Sequence, residues 1–281
     1  MSEDITVRDL ISHADLAACV ELQRETWGRD FHDTVPASIL LVGRKIGGVS
    51  AGAFARDGRL VGFVFGLTGV ENGRTVHWSD MLAVRPEVQN LGVGRRLKEF
   101  QRRAVARAGA HVIYWTFDPL VARNAHLNFN VFGVRVVEYV RDMYGAETGS
   151  DLHRAVGTDR LVVAWPVDDA ELADRKREIA HVLDSHAFAS APTLGDAEHP
   201  DPKASLRLGD TPQLRIAVPL DLSMLQSNDP GRATRWRATT RAAFESALAA
   251  GYRVDGFTVD AERDRGFYLL AQHRVPSTRH P

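Results

Sequence analysis

Lysine is scarce in this chain, and cysteine occurs once. Of its 35 basic residues only Lys45, Lys98, Lys176 and Lys203 are lysine, an arginine excess that reads as coding bias rather than function. The single cysteine, Cys19, excludes an intrachain disulfide, a thiolate zinc cluster and a paired-thiol redox centre, and fits a reducing compartment. No charge of one sign dominates. The formal net charge of −1 builds in no general pull toward nucleic acid or a membrane surface, so any anion site must be local. No run approaches the roughly 18 to 20 apolar residues of a membrane span. The opening MSEDITVRDL is polar and acidic where a secretory leader is basic and then apolar, so a cytoplasmic location is expected. The eleven histidines show no HExxH or comparable ligand spacing, and no metal is expected. What is present, 281 residues with 44% hydrophobic and 25% charged, can bury one large core or two smaller ones.

Short strand-like runs alternate with helical periods, which predicts an α/β (α+β) fold with a mixed sheet flanked by helices. A strand is expected over 5–10, then a helix capped by Ser12 with Asp15 three residues on, ended by Gly28. A second short helix is expected over 36–44. Asp57-Gly58 predicts a hairpin between 49–55 and 60–68. The next strand, 75–84, places Val76, Trp78, Asp80, Leu82 and Val84 on one face by period two, so an aspartate interrupts an apolar face. A helix follows Gly94, with Leu97, Phe100, Ala104, Val105 and Ala108 as its apolar stripe and Arg95, Arg96, Lys98, Arg102 and Arg103 on its polar side. Further strands are expected at 112–117, 134–140 and 161–167, with a helix over 121–132 and a charged helix over 168–186. The Pro-, Asp- and Gly-rich stretch 191–212 reads as a linker, and a small βαββ unit follows it. The expected divisions are 1–168, 169–199 and 200–281.

The segment 84–109 carries the chemistry. A strand leads into Gln89-Asn90-Leu91-Gly92-Val93-Gly94, whose glycines let backbone N–H groups approach a ligand, and the loop opens the positive end of a helix with a basic first turn. That combination suits a diphosphate, the alternative being an ordinary glycine-rich turn. A P-loop would need Gly-Lys-Ser/Thr, and Arg95-Arg96 follows Gly94. A dinucleotide fingerprint would need a small residue where Leu97 stands.

Val84-Arg85-Pro86 followed by Gln89 through Gly94 resembles the V-x-P…[QR]-x-x-G-x-[GA] motif of the GNAT superfamily of N-acyltransferases, over about residues 5–168. The resemblance implies that amides of Gln89, Asn90, Leu91, Gly92, Val93, Gly94 and Arg95 bind the pyrophosphate of acyl-coenzyme A. It also implies that the backbone of Leu82, Ala83 and Val84 pairs with the pantetheine and points at the thioester. Asn124 through Phe129 and Gly133 resemble the family's second coenzyme segment. HWSDMLAVRP, YWTFDPL and NAHLNFNVFG resemble a branch with a C-terminal extension, part of it associated with N-succinyl amino acids.

The chain departs from the family where a tyrosine would protonate the leaving thiolate: Phe129 stands there, and a phenyl ring donates no proton. The family's base is a Glu on the fourth strand or a water relay. Here the nearest titratable residues are Asp80 and His77, the first weighed against a structural ion pair and the second against a hydrogen-bonded filler. His126 and Tyr139 are weaker candidates for the acid. The expected function is N-acylation, acetyl or succinyl, of a primary amine of a small molecule, with acetyl-CoA or another acyl-CoA as co-substrate. Neither nucleic acid nor membrane is an expected partner, and a homodimer is allowed. The alternative is a non-catalytic acyl-CoA-binding module. Because both coenzyme segments precede residue 134, removal of the extension 200–281 is expected to leave coenzyme A binding largely in place while impairing acceptor recognition or association.

Overall fold

The computed structural model describes residues 5–145, 148–150, 156–185, 188–199, 208 and 211–273. Much of the expected linker's second half, and residues 274–281 of the expected extension, lie outside the described residues. Contact density divides the chain into two compact units. One comprises Met1–Thr116, Glu147–His153 and Ala164–Leu172; the other comprises Phe117–Ala146, Arg154–Val163 and Ala173–Pro281.

The first unit begins with β1 (Thr6–Asp9) and α1 (His13–Trp27). Ser12 caps α1 through a reciprocal box: its hydroxyl accepts from Asp15 N–H at 3.0 Å, and Asp15 Oδ2 accepts from Ser12 N–H at 3.2 Å. Helix α2 (Ala37–Lys45) is followed by β2 (Val49–Phe54) and β3 (Leu60–Glu71), joined at Asp57-Gly58, where Gly58 adopts φ +83°. Strand β4 (Arg74–Val84) turns back from β3 at Asn72-Gly73, with φ +50° and +76°. Then come α3 (Val93–Arg107) and β5 (Val112–Phe117). Farther along are α4 (Ala122–His126), continued as a π turn over Leu127–Phe132, β6 (Arg135–Val140), β7 (Arg160–Pro166) and α5 (Asp169–Asp184). These strands are ordered β1-β2-β3-β4-β5-β7-β6, antiparallel from β1 to β4 and parallel between β4 and β5, a mixed sheet as expected. One face of the first unit's strands buries Phe63, Phe65, Met81 and Ala83 against Leu16, Cys19 and Leu22 of α1 and Leu40 of α2. Burial pushes the Cys19 thiol up to about 12, so it behaves as a core apolar group.

Two expectations about this unit are corrected. On α3 the buried side is Val93, Leu97, Lys98, Gln101 and Val105, whereas Phe100 and Ala104 only flank it. Lys98 therefore leaves the polar side assigned to it. On β4, the face proposed for Val76, Trp78, Asp80, Leu82 and Val84 is broken by a β-bulge. Phe65 pairs with Met81 and Gly66 with Ser79, so Asp80 is the extra residue. The bulge reverses the strand's sidedness. His77 reaches Gln101 of α3 and Leu82 and Val84 lie beside Gly94 of α3, whereas Met81 and Ala83 enter the core on α1 and α2.

The second unit has a further sheet, ordered β10-β11-β9-β8, from β8 (Thr193–Leu194), β9 (Gln213–Pro219), β10 (Tyr252–Asp260) and β11 (Arg265–Gln272). Helices α6 (Leu222–Asn228) and α7 (Pro230–Ala249) connect β9 to β10, and Asp229 caps α7 by accepting from Arg232 N–H at 2.9 Å. The expected βαββ unit is present, enlarged by β8 and α6.

Candidate active site

The site in the first unit is built on the separation of β4 from β5. Their register runs through His77↔Ile113 and Trp78↔Tyr114, and among the described residues it goes no further, although β4 continues to Val84. Beyond Trp78 the strand thus presents main chain on its β5 side that no ladder satisfies, next to a bulge that has already changed its twist. Gln89 takes one of these groups, its Nε2 donating to Val84 C=O at 3.0 Å. The N–H and C=O of Leu82, two residues before Val84, point to that same side, where no ladder takes them among the described residues, whereas those of Ala83 face β3, as Arg85 N–H does in bonding Val61 C=O at 2.9 Å.

After Arg85 a single 3₁₀ turn, Pro86–Val88, leads to Asn90 at φ +62° and Gly92 at φ +76°. Gly92 caps α3 in the left-handed region, with open space where a Cβ would stand. The first bond of α3 runs from Arg96 N–H to Gly92 C=O at 3.0 Å, so the N–H groups of Val93, Gly94 and Arg95 precede the ladder and point out of the helix end. Leu91 is half-buried and Val93 fully buried, which fixes this turn on the sheet, while the Arg95 side chain turns to Glu99 at 2.8 Å. The arrangement suits an anion of phosphate type.

Asp80, the bulged residue, is exposed, yet protein atoms surround its carboxyl closely enough to raise its pKa. Desolvation is the main cause, and the Asp33 charge adds to it. Asp80 has no ion pair among the described residues. Near it, the loop after α1 is held tightly: His32 N–H donates to Thr148 C=O at 3.1 Å, and a Cβ on Gly149 would lie 1.9 Å from Asp30 C=O.

His77 is fully buried and engaged at both ring nitrogens, by Thr68 Oγ1 and Gln101 Nε2, each at 3.0 Å. Burial first, and then the Lys98 charge, pull its pKa down to about 3. A ring so placed holds structure. Asp80, Leu82, Ala83, Val84 and the loop from Gln89 to Arg95 are brought together in the first unit. Asn124 and Phe129 belong to the second. There Asn124 is half-buried on α4, and Phe129 is fully buried against Phe117 and Tyr268, with ring centroids 6.4 and 5.9 Å apart. In the same unit His126 is exposed and bonded to Asn130 at 3.2 Å, and Tyr139 donates to Asp159, which with burial raises its pKa. The sequence reading did not anticipate the bulge, Asp33 or the buried pair Lys98 and Gln101.

Residues 16–128 match the family model described as the acetyltransferase (GNAT) family. No curated protein matches the chain. Among solved structures, similarity is found to the NatC complex bound to Gag peptide and CoA (14% identity, 58% of this chain and 98% of that one, TM-score 0.47). It extends to yncA from Salmonella typhimurium with acetyl-CoA (19%, 59% and 95%, TM-score 0.45). A GCN5-related N-acetyltransferase from Kribbella flavida is also similar (19%, 59% and 99%, TM-score 0.44). Residues 16–128 are the part of this chain similar to the GNAT acetyltransferase family.

Proposed function

We propose that this protein transfers an acetyl or succinyl group from acyl-CoA to the primary amine of a small molecule, by direct attack within a ternary complex. The observation that carries the reading is the bulged end of β4, which sets a desolvated carboxylate, Asp80, two residues before the Leu82 backbone that no β5 ladder takes among the described residues. The amides of Val93, Gly94 and Arg95 receive the diphosphate, and the β4 main chain orients the thioester carbonyl and stabilises charge on its oxygen. Asp80 takes a proton from the substrate ammonium. The freed nitrogen bonds to the carbonyl carbon, the C–S bond breaks, and coenzyme A leaves with the electron pair as thiolate, which takes up the second proton shed by the new amide nitrogen. His77 serves here as support, because it is buried and has no free ring nitrogen.

Phe129 favours a second reading, a non-catalytic acyl-CoA-binding module, since a fully buried phenyl ring supplies no proton to a thiolate. Thiol release from acetyl-CoA and succinyl-CoA, measured with amino acids, diamines and peptide amino termini as acceptors, separates the two. Release that depends on a small amine supports transfer. Coenzyme A binding without release from any acceptor supports the module.

A further inference from the structure

Two buried polar residues on α3 have no part in the reading above. Lys98 and Gln101 are 2% and 0% exposed, on a helix whose Arg95 and Arg103 reach solvent. They belong to a line of side chains crossing the first unit. Lys98 Nζ donates to Gln101 Oε1 at 3.0 Å and stands 3.7 Å over the Trp115 ring. Gln101 Nε2 meets His77 Nε2 at 3.0 Å, His77 Nδ1 meets Thr68 Oγ1 at 3.0 Å, and Thr68 donates to Gly47 C=O at 2.6 Å.

One arrangement of protons satisfies the whole line. The Thr68 hydroxyl has a single proton, given to Gly47, so it accepts from His77 Nδ1–H. His77 Nε2 then holds a lone pair and accepts from the Gln101 amide, whose oxygen accepts from Lys98. An imidazolium would oppose N–H to N–H at Gln101, so the ring is neutral. The fold makes room for the link: a Cβ on Gly66 would lie 2.4 Å from His77 Nε2 and 2.9 Å from Gln101 Nε2.

The line crosses the sheet where the two strands part. His77 and Trp78 are the β4 residues in register with β5, and the bulge follows at Asp80. About two turns before Gln101 along α3, a Cβ on Gly94 would sit 3.7 Å from Val84 and 3.8 Å from Leu82. Apolar contacts would let the helix slide by fractions of an ångström, whereas a satisfied buried hydrogen-bond line has one register.

We propose that the line Thr68–His77–Gln101–Lys98 is a positioning device for acyl transfer: it pins α3 to β4 at the parting of the strands and so fixes the loop at 92–95 against the strand backbone at 82–84. The proposal rests on the acyl-CoA reading. Its residues touch no reacting atom and act through the placement of those that do.

The test compares Gln101→Leu with Val105→Ala, a buried change on the same helix that leaves the line intact. Each variant is assayed at a temperature where circular dichroism shows it folded, with kcat at saturating acetyl-CoA and amine and the Kd of coenzyme A by calorimetry. Gln101→Leu is expected to lower kcat about tenfold or more while coenzyme A affinity changes less than about threefold, and Val105→Ala is expected to keep the parental kcat. Parental kcat in folded Gln101→Leu would overturn the proposal, as would kcat and affinity falling together in both variants. Should Gln101→Leu fail to fold, ¹⁵N spectra of parental His77 decide. A neutral Nδ1–H ring from pH 8 to pH 5 supports the line, and any other form overturns it. A parent that neither binds coenzyme A nor releases thiol refutes the acyl-CoA reading and this proposal with it, whereas an active parent with an unaffected variant refutes the positioning role alone.

Discussion

Phe129 meets Tyr268 edge-on with ring centroids 5.9 Å apart, and Tyr268 locks the pair by donating its hydroxyl to Pro119 C=O at 2.7 Å. Phe244 and Phe257 pack on the other sides of Tyr268, each with centroids 5.0 Å away. In the same unit Arg237 of α7 is bonded to Asp118 at 2.6 Å. Segment 117–133 is thus held by β11 and α7, so coenzyme A affinity of the chain without residues 200–281 is the measurement that checks whether binding stays largely in place. Removing them would uncover Phe129 and leave Asp118 without this arginine.

Restoring a tyrosine at Phe129 is therefore expected to fail as a repair. The added hydroxyl would enter a closed aromatic cluster, so Phe129→Tyr should lose roughly 1 to 3 kcal/mol of stability, with no gain in thiol release. Melting temperature and kcat measured on the same preparation check this. A faster enzyme of unchanged stability would show that the ring can reach the reaction.

For Asp80 the expected signs of activity and stability are opposite. A raised carboxyl pKa means that the folded chain holds the proton more tightly than the unfolded one. This stabilises the fold at low pH, and the contribution is lost as pH rises from the unfolded value near 3.8 through the folded pKa. At pH 7, Asp80→Asn should leave the melting temperature unchanged or higher, while kcat falls by about 10²- to 10⁴-fold and partly recovers at alkaline pH as free amine accumulates. A lower melting temperature with intact kcat would return Asp80 to a structural role.

Gly92→Val should separate binding from folding. The residue sits at φ +76° with nothing within 4 Å of a Cβ, so the fold meets backbone strain of about 1 to 2 kcal/mol and no clash. The branched side chain would stand in the diphosphate cradle, and coenzyme A affinity should fall at least about tenfold. Calorimetry showing parental affinity would move the anion site elsewhere.

His77 gives the fold a pH dependence of its own. Its folded pKa, about 3, lies below the unfolded value of 6.5, so its contribution is fully present above pH 6.5 and is lost as pH falls toward 3. The parent should lose about 1.4 kcal/mol more per pH unit than His77→Gln across pH 6 to 4, read from urea midpoints. Parallel curves would mean that the ring titrates freely.

What could be read in the chain was local. The Ser12–Asp15 box, the Asp57-Gly58 turn and the strand–loop–helix around Gly92 each depend on neighbours in sequence, and each is present. The Asn72-Gly73 hairpin is equally local, its turn being set by two adjacent residues at positive φ. The bulge was not readable, because burial still alternates through His77, Ser79, Met81 and Ala83. Both faces of β4 are covered, so a change of face leaves the period of two intact. Lys98 was misplaced because a lysine beside arginines on a helix ordinarily faces water, and the partners that bury it come from distant strands. Nor does any local signal join Phe129 to Tyr268.

The bulge gives Asp80 two duties that cannot be exchanged separately. As an added residue it makes β4 one position longer than its partner, and that extra length turns His77 toward α3 while Met81 turns toward α1. Deleting Asp80 would remove the carboxylate and rotate every side chain on one flank of it to the opposite face, exchanging a histidine for a core position and a core residue for the helix. A variant without the carboxylate can therefore replace residue 80, whereas a variant one residue shorter exchanges the two faces of the strand.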